Sequence, residues 1–314
     1  MKETDFIDSL ENATEEDINA AKKSRKGFFA VLSDNIRVVI LGICLIALAV
    51  SLGYVIHSVV HYVMAGDIYS EAEKFMNDAS GVEPMYASAR SVPTPDFNDS
   101  QQLSPTDAEG YETVIKTVDR DYEKFRNKLY TMKQRLNDLY GWIIIPGTNI
   151  NYPIMQSSDN SYYLDHSYEG ANLRGGSIFA DYRCSETLVD NYNLVLYGHH
   201  MSANLMFHSL DKYLDEEFYR QNKQIVIYTL DGMYTYEICS VYDTDAYYYY
   251  IKTFFSSPDV FVSWATEMVG NSIYPTGAVF SANDRMLTLS TCSNRTTDGR
   301  LCVQARMVKF YSAN

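Results

Sequence analysis

No Cys-x-x-Cys or His-Glu-x-x-His spacing occurs in this chain, and there is no glycine-rich phosphate loop. A structural zinc site, zincin-type hydrolysis and nucleotide chemistry are therefore not indicated, and no metal or cofactor is expected. Basic side chains are in the minority, 26 Lys and Arg against 40 Asp and Glu, giving a formal net charge of -14. That balance argues against nucleic acid, whose binders present a basic face, and suits the solubility of an exported domain. Cysteine is scarce and odd in number, five in 314 residues, which excludes a dense disulfide framework. Cys44 falls in an apolar run and is assigned no function. Cys184, Cys239 and Cys302 read as buried single thiols, with a disulfide among them as the alternative. Tryptophan occurs only twice, whereas tyrosine occurs 27 times, including the block Tyr247–Tyr250. Aromatic-rich surfaces often contact peptides or glycans, and barrel strands with exposed tyrosine edges explain most of them equally well.

Long hydrophobic runs are also lacking, with one exception. Val38 to Ile56 contains no charged residue and approaches the roughly 20 residues that cross a bilayer. Lys22, Lys23, Arg25, Lys26 and Arg37 precede it, and Lys74 is the only basic residue soon after it. The positive-inside rule then puts the N-terminus in the cytoplasm and the remainder outside. A cleaved signal peptide is the competing reading, but its apolar core is about 7 to 15 residues long, so a retained anchor is favoured.

The organisation that follows is a cytoplasmic tail (1–37), a transmembrane helix (38–60), an extracytoplasmic stalk and flexible spacer (61–105) and a catalytic domain (106–314). Pro, Ser, Asp and Asn gather between Gly81 and Pro105, a composition that buries no core. From Thr106 to Leu139, apolar residues including Tyr111, Val118, Tyr122, Phe125, Leu129, Met132 and Leu136 recur at helical spacing. Beyond Gly141 the pattern becomes short strands: Trp142–Ile145, Ser177–Ala180, Leu194–Tyr197, Gln224–Thr229 and Met233–Tyr242. Asp231-Gly232 between the last two favours a primed hairpin turn. Helical interruptions are expected near Met206 to Asn222 and from Pro258 to about Met268, where Val260, Phe261, Trp264 and Met268 share a face. The second would either wall a substrate groove or simply cover the core. The class is mainly β, a closed or nearly closed barrel.

Chemistry concentrates in two places. In the extended run Thr288-Leu289-Ser290-Thr291-Cys292, alternation puts Thr288, Ser290 and Cys292 on one face. After the Asp298-Gly299 turn, Arg300 can face Cys292 across the hairpin mouth, while Arg295 sits in the loop and Arg306 lies deeper along the strand. Far upstream, Tyr197-Gly198-His199-His200 ends an apolar strand, and the glycine allows a sharp turn that exposes a ring at the rim. His199 is favoured over His200, which alternation points away. A thiol, an imidazole and a guanidinium make a cysteine acyl-transfer site: the thiolate attacks a carbonyl, the imidazole exchanges protons, and the guanidinium holds the substrate or its oxyanion. Asp165, Asp181 and Asp243 are the candidates for orienting His199.

The Thr-Leu-Ser-Thr-Cys segment with its downstream arginine and the Tyr-Gly-His segment resembles the sortase family of Gram-positive transpeptidases. Gly141–Thr148, Tyr162–His166 and Gly176–Tyr182 resemble class B blocks, and the likeness spans roughly Leu136 to the C-terminus. It implies an eight-stranded closed β-barrel with N-terminal helices and a helix before the cysteine strand. It further implies that Cys292 attacks the Thr carbonyl of an Asn-Pro-x-Thr-Asn or Gly sorting signal, with His199 as general acid and base and Arg300 on the substrate carbonyl. An amine of a peptidoglycan precursor or a pilin would resolve the thioester. Asn160, Leu164, Tyr250, Ile251, Ser290 and Thr291 match positions of the class B substrate groove. Ala246 stands where a groove threonine is expected, and Ser293 where some members carry an acid. A cysteine peptidase shares the same thioester, and an exported binding module with a structural Cys292 is the non-enzymatic alternative.

Overall fold

The computed structural model describes residues 15–77, 122–202, 204–293 and 298–312. The spacer expected at 81–105, the first part of the helix expected from Thr106, and Arg295 lie outside the described residues. Contacts divide the chain into two compact units, Met1–Val60 and His61–Asn314. Helix α1 (Glu15–Asn77) contributes to both. In the first unit its apolar side chains, Val38, Leu41, Ile46, Val50 and Ile56 among them, are exposed. By length and composition this helix is able to cross a membrane.

In the second unit, α1 residues Ala65, Tyr69, Ala72 and Met76 are buried at three- and four-residue steps, the spacing of one helical face. A second helix, α2, covers residues 122–133. Its Tyr122, Leu129 and Met132 are buried, and Phe125 stacks on Tyr228 at 4.2 Å between ring centroids. The helix stops short of Leu139, where periodicity would carry it. Arg135 and Leu136 amides turn back onto the Met132 carbonyl, satisfying a group the helix end leaves open, and Lys133 Nζ donates to the carbonyls of Asn137 and Leu139 in the chain that follows.

Among the described residues ten strands follow: β1 (Leu139–Ile144), β2 (Asn151–Met155), β3 (Ile178–Ala180), β4 (Asn193–Tyr197), β5 (His200–Met201), β6 (Leu205–Met206), β7 (Gln224–Tyr228), β8 (Gly232–Asp245), β9 (Met286–Ser293) and β10 (Gly299–Ser312). Eight close into a barrel in the order β1-β2-β3-β4-β9-β10-β8-β7, and β5 pairs with β6 in a separate two-stranded sheet. Closure leaves the barrel without an unpaired edge. The β2/β3 and β4/β9 pairs are parallel. Between β6 and β7 run a 3-10 helix, Phe207–Leu214, and a short helix α3 (Glu216–Gln221). Helix α4 (Pro258–Gly270) precedes β9, with Ser257 Oγ accepting from the Val260 amide as its N-cap.

Two cores result. Leu287, Leu289, Leu301, Val303 and Ala305 join the barrel interior. On the outside of the same strands, Met286 and Cys302 pack with Cys239, Tyr242, Tyr250, Phe261, Trp264 and Met268. Cys302, on the mixed face of β10, is therefore buried with the inner residues of α4, so this helix covers a core. Val260 is exposed and does not share the buried face.

The β7/β8 turn also departs from expectation. Leu230 and Asp231 both keep negative φ, so the turn is not primed. Thr229 holds it instead, its Oγ1 accepting from the amides of Asp231 and Gly232.

Candidate active site

Register places the expected groups at one rim of the barrel. β9 and β10 pair so that Arg300 lies opposite Cys292 and Cys302 opposite Ser290. β4 runs parallel to β9 with Tyr197 beside Ser290, and the Gly198 amide donates to the Ser290 carbonyl at 3.2 Å. His199 and Cys292 each lie two residues beyond that paired position, where β4 has ended and β9 is still paired with β10. Gly198 is required for close packing, not for an unusual φ: a Cβ there would run into the Ile178 side chain and the Phe207 ring.

Cys292 is exposed, whereas Cys184, Cys239 and Cys302 are buried free thiols. Burial pushes Cys184 up to about 11 and Cys302 up to about 12, and it raises Cys239 as well. These three are kept as neutral thiols, and the alternative of a disulfide among them does not occur. Arg300 is half-buried, with Nη1 donating to the Asp298 and Gly299 carbonyls, so its own hairpin aims the guanidinium. Arg306 Nη1 instead donates to the Val279 carbonyl, away from Cys292 along the strand.

None of the carboxylates considered for orienting His199 fills that place. His199 Nε2 lies 2.7 Å from the Leu164 carbonyl oxygen. A carbonyl only accepts, so this contact requires the proton on Nε2 and leaves Nδ1 as the exchangeable position of the neutral ring. Asp165 pairs with His166 at 2.6 Å. Asp181 is buried and bonded to Arg183, Tyr197 and Asn160. Asp243 lies on β8 at the exposed pairing partner of Leu301. A backbone acceptor such as Leu164's has no signature in a sequence. His200 is a structural partner, with Nε2 2.8 Å from Asp211 Oδ2 and its ring packed 4.4 Å from that of His208.

The expected groove residues divide. Tyr250 is buried, and its hydroxyl pairs with Ser290 Oγ at 2.8 Å, two residues before Cys292 on β9. Ile251 offers its carbonyl to Arg183 Nη2, and the Leu164 side chain is exposed. Asn160 is held by Asp181, while its Oδ1 accepts from the Tyr182 amide. Thr291 is a correction: its side chain lies on the interior face, is buried, and has no hydrogen-bond partner among the described residues. Strand alternation turns it away from the face that carries Cys292. Sequence reasoning missed Arg183, whose side chain joins Asp181 to Tyr249 and Ile251 and so ties the β3 end to the loop after β8. Among the described residues there is no cluster of His, Cys, Asp and Glu suited to a metal ion.

A closed barrel with one exposed thiol, and an imidazole and a guanidinium at the same rim, has the make-up of a cysteine acyl-transfer enzyme. A family model described as the sortase domain matches residues 143–308. Sortase B of Listeria monocytogenes is 37% identical over 185 residues, 58% of this chain and 75% of that protein. Among solved structures, sortase B from Bacillus anthracis in complex with AAEK2 superposes with a TM-score of 0.54 at 41% identity, over 58% of this chain and 83% of that one. A Staphylococcus aureus sortase B–substrate complex gives a TM-score of 0.55 at 29% identity, covering 65% and 99%. The chain belongs to the sortase family, and within it to class B. It is a sortase-type cysteine transpeptidase of cell-wall sorting, from a family associated with the cell surface.

Proposed function

We propose that Cys292, His199 and Arg300 form the catalytic centre of a membrane-anchored transpeptidase that cleaves a sorting signal of the Asn-Pro-x-Thr-Asn or Gly kind after its threonine. The observation that carries this reading is the convergence of three separate segments at one rim, through the Arg300/Cys292 and Tyr197/Ser290 registers. The Cys292 thiolate attacks the Thr carbonyl, and the developing oxyanion is held by the Arg300 guanidinium. His199 gives a proton to the departing amine as the C–N bond breaks, leaving a thioester on Cys292. An incoming amine of a peptidoglycan precursor or a pilin passes a proton to His199, forms the new amide and frees the thiolate. The similarity to a sortase B solved with a substrate supports a peptide groove at this rim. Leu164, Tyr250, Ile251 and Ser290 are then its lining on this chain.

The anchoring part of the proposal rests on residues 38–60. A single span there, with residues 1–37 in the cytoplasm and the barrel outside, keeps the enzyme beside secreted substrates and raises their effective concentration.

The test is mass spectrometry of the chain with an Asn-Pro-x-Thr peptide library, with and without candidate amines, comparing wild type and Cys292→Ala. A thioester on Cys292 that turns into amine-ligated product is the expected outcome. Hydrolysed product alone in the presence of every amine would favour a peptidase, and the absence of any adduct would remove Cys292 as nucleophile.

A further inference from the structure

Tyr69 stands far from Cys292 in sequence and lines a separate cavity with Glu73, Ile150 and Tyr152, yet two chains of hydrogen bonds and packing contacts lead from it to His199. It lies on the part of α1 that belongs to the barrel unit and is buried. Its hydroxyl donates to the Gly176 carbonyl at 2.6 Å and meets Ser177 Oγ at 3.0 Å, and Ser177 Oγ in turn donates to the His166 carbonyl. The Ser177 amide holds the Tyr163 carbonyl at 2.9 Å. Gly176 has φ +53, and its Cα is pressed so closely on the Tyr163 and Leu164 carbonyls that a Cβ would overlap both. The Leu164 carbonyl, backed in this way by Gly176, is the acceptor for His199 Nε2.

The second route holds the backbone that carries the histidine. The Tyr69 ring packs edge-on against Tyr152 at 5.3 Å. The Tyr152 hydroxyl accepts from the Met206 amide, Met206 pairs with His200 across β5/β6, and the Phe207 amide donates to the His199 carbonyl. One side chain thus abuts the wall that receives the imidazole and, through Tyr152, supports the hairpin that follows the histidine.

We propose that Tyr69 is a positioning residue for His199, acting through the Gly176-Ser177 turn on the Leu164 carbonyl. The segment that follows the proposed anchor then sets the geometry of proton exchange besides joining the barrel to the rest of the chain. This rests on His199 being the proton-exchanging group. Removing the hydroxyl leaves the buried Gly176 carbonyl without this donor, so the turn can shift and release Leu164, and the ring loses its fixed tautomer.

The experiment uses the full chain in lipid nanodiscs and compares wild type, Tyr69→Phe, Ser177→Ala and His199→Ala. Two quantities are measured: kcat and KM for peptide cleavage per titratable Cys292, and the nitrogen-15 signals of the His199 ring. For Tyr69→Phe the expected result is a fall in kcat of about tenfold with KM nearly unchanged, together with loss of the Nε2-protonated signature. Ser177→Ala should move both readouts the same way by a smaller factor. A Tyr69→Phe chain with wild-type kcat per active thiol and an unchanged His199 spectrum, whatever its melting temperature, would overturn the proposal. If Tyr69→Phe does not fold, an unchanged spectrum and kcat in Ser177→Ala would do so. Wild-type kinetics that survive His199→Ala would defeat the catalytic reading instead, and the spectra would still decide whether Tyr69 orients the ring.

Discussion

Burial separates thiols that are identical in sequence. At mildly alkaline pH Cys184, Cys239 and Cys302 are both covered and held protonated by desolvation, so neither access nor thiolate is available. Iodoacetamide applied to the native chain should therefore modify Cys292 at least about tenfold faster than those three. Peptide mapping over a time course measures it, and comparable rates would mean that the site is not the reactive one. Asp181 makes a different point. Burial alone would raise its carboxyl, but hydrogen bonds from Arg183 and Tyr197 outweigh that and hold it below its ordinary value. Because the folded value is the lower one, the stabilisation is complete above the unfolded value of about 3.9 and fades as pH falls through the folded value. Asp181→Asn should lower the melting temperature at neutral pH and flatten its decline below about pH 4; parallel curves for the two proteins would refute this. At this scale the pairing of Arg300 with Cys292 and the exposure of that thiol were legible because residue type and strand alternation are local. The support of His199 was not, since the Leu164 carbonyl is a backbone group available at any residue.

Among the elements, strands were read more faithfully than turns and ends. Leu194–Tyr197 and Gln224–Thr229 each sit within one residue of β4 and β7, and Trp142–Ile145 falls on β1 but misses its first three residues, because short apolar runs bounded by turn residues mark such strands. The turn at Leu230–Asp231 was misjudged, since the Thr229 hydroxyl supplies locally what a left-handed residue would otherwise provide. Helix α4 was found, but Val260 was wrongly put on its inner face, while Ala265, easily overlooked as a small residue, is fully buried. The inner face of α4 is the cover over β8 and β10, and Phe261 lies at its centre, edge-on to Phe255 and Phe280. Phe261→Ala should destabilise the barrel unit by about 3–5 kcal/mol, the usual cost of truncating a buried phenylalanine. Since Tyr250 belongs to the same cluster, the groove behind Ser290 should loosen too, and KM for the peptide should rise. Denaturant unfolding and steady-state kinetics measure the two effects. A loss under about 1 kcal/mol would show that the outer layer contributes little.

For the whole molecule, the decisive physical contrast is between its two units. The apolar side chains of residues 38–60 face outward, whereas the unit from His61 onward has its own closed barrel and core. A helix with an exposed apolar surface on all sides is stable in hydrocarbon, where its backbone groups are satisfied within the helix and its side chains meet acyl chains. Retention as an anchor therefore predicts that the full chain stays with the membrane after alkaline carbonate extraction. In intact cells stripped of wall, added protease should digest the barrel and leave the segment before Val38 protected, as the basic cluster from Lys22 to Arg37 requires under the positive-inside rule. Release of a shortened barrel into the medium would instead mean that the apolar run is cleaved as a signal. Deleting residues 1–60 should then affect the two settings unequally. Cleavage of a dissolved peptide depends on the rim of the barrel and should keep its kcat/KM within about twofold, whereas display of surface protein in cells should fall steeply, because the loss is one of effective concentration and not of any contact in the site. Equal losses in both assays would show that the span also shapes the catalytic unit.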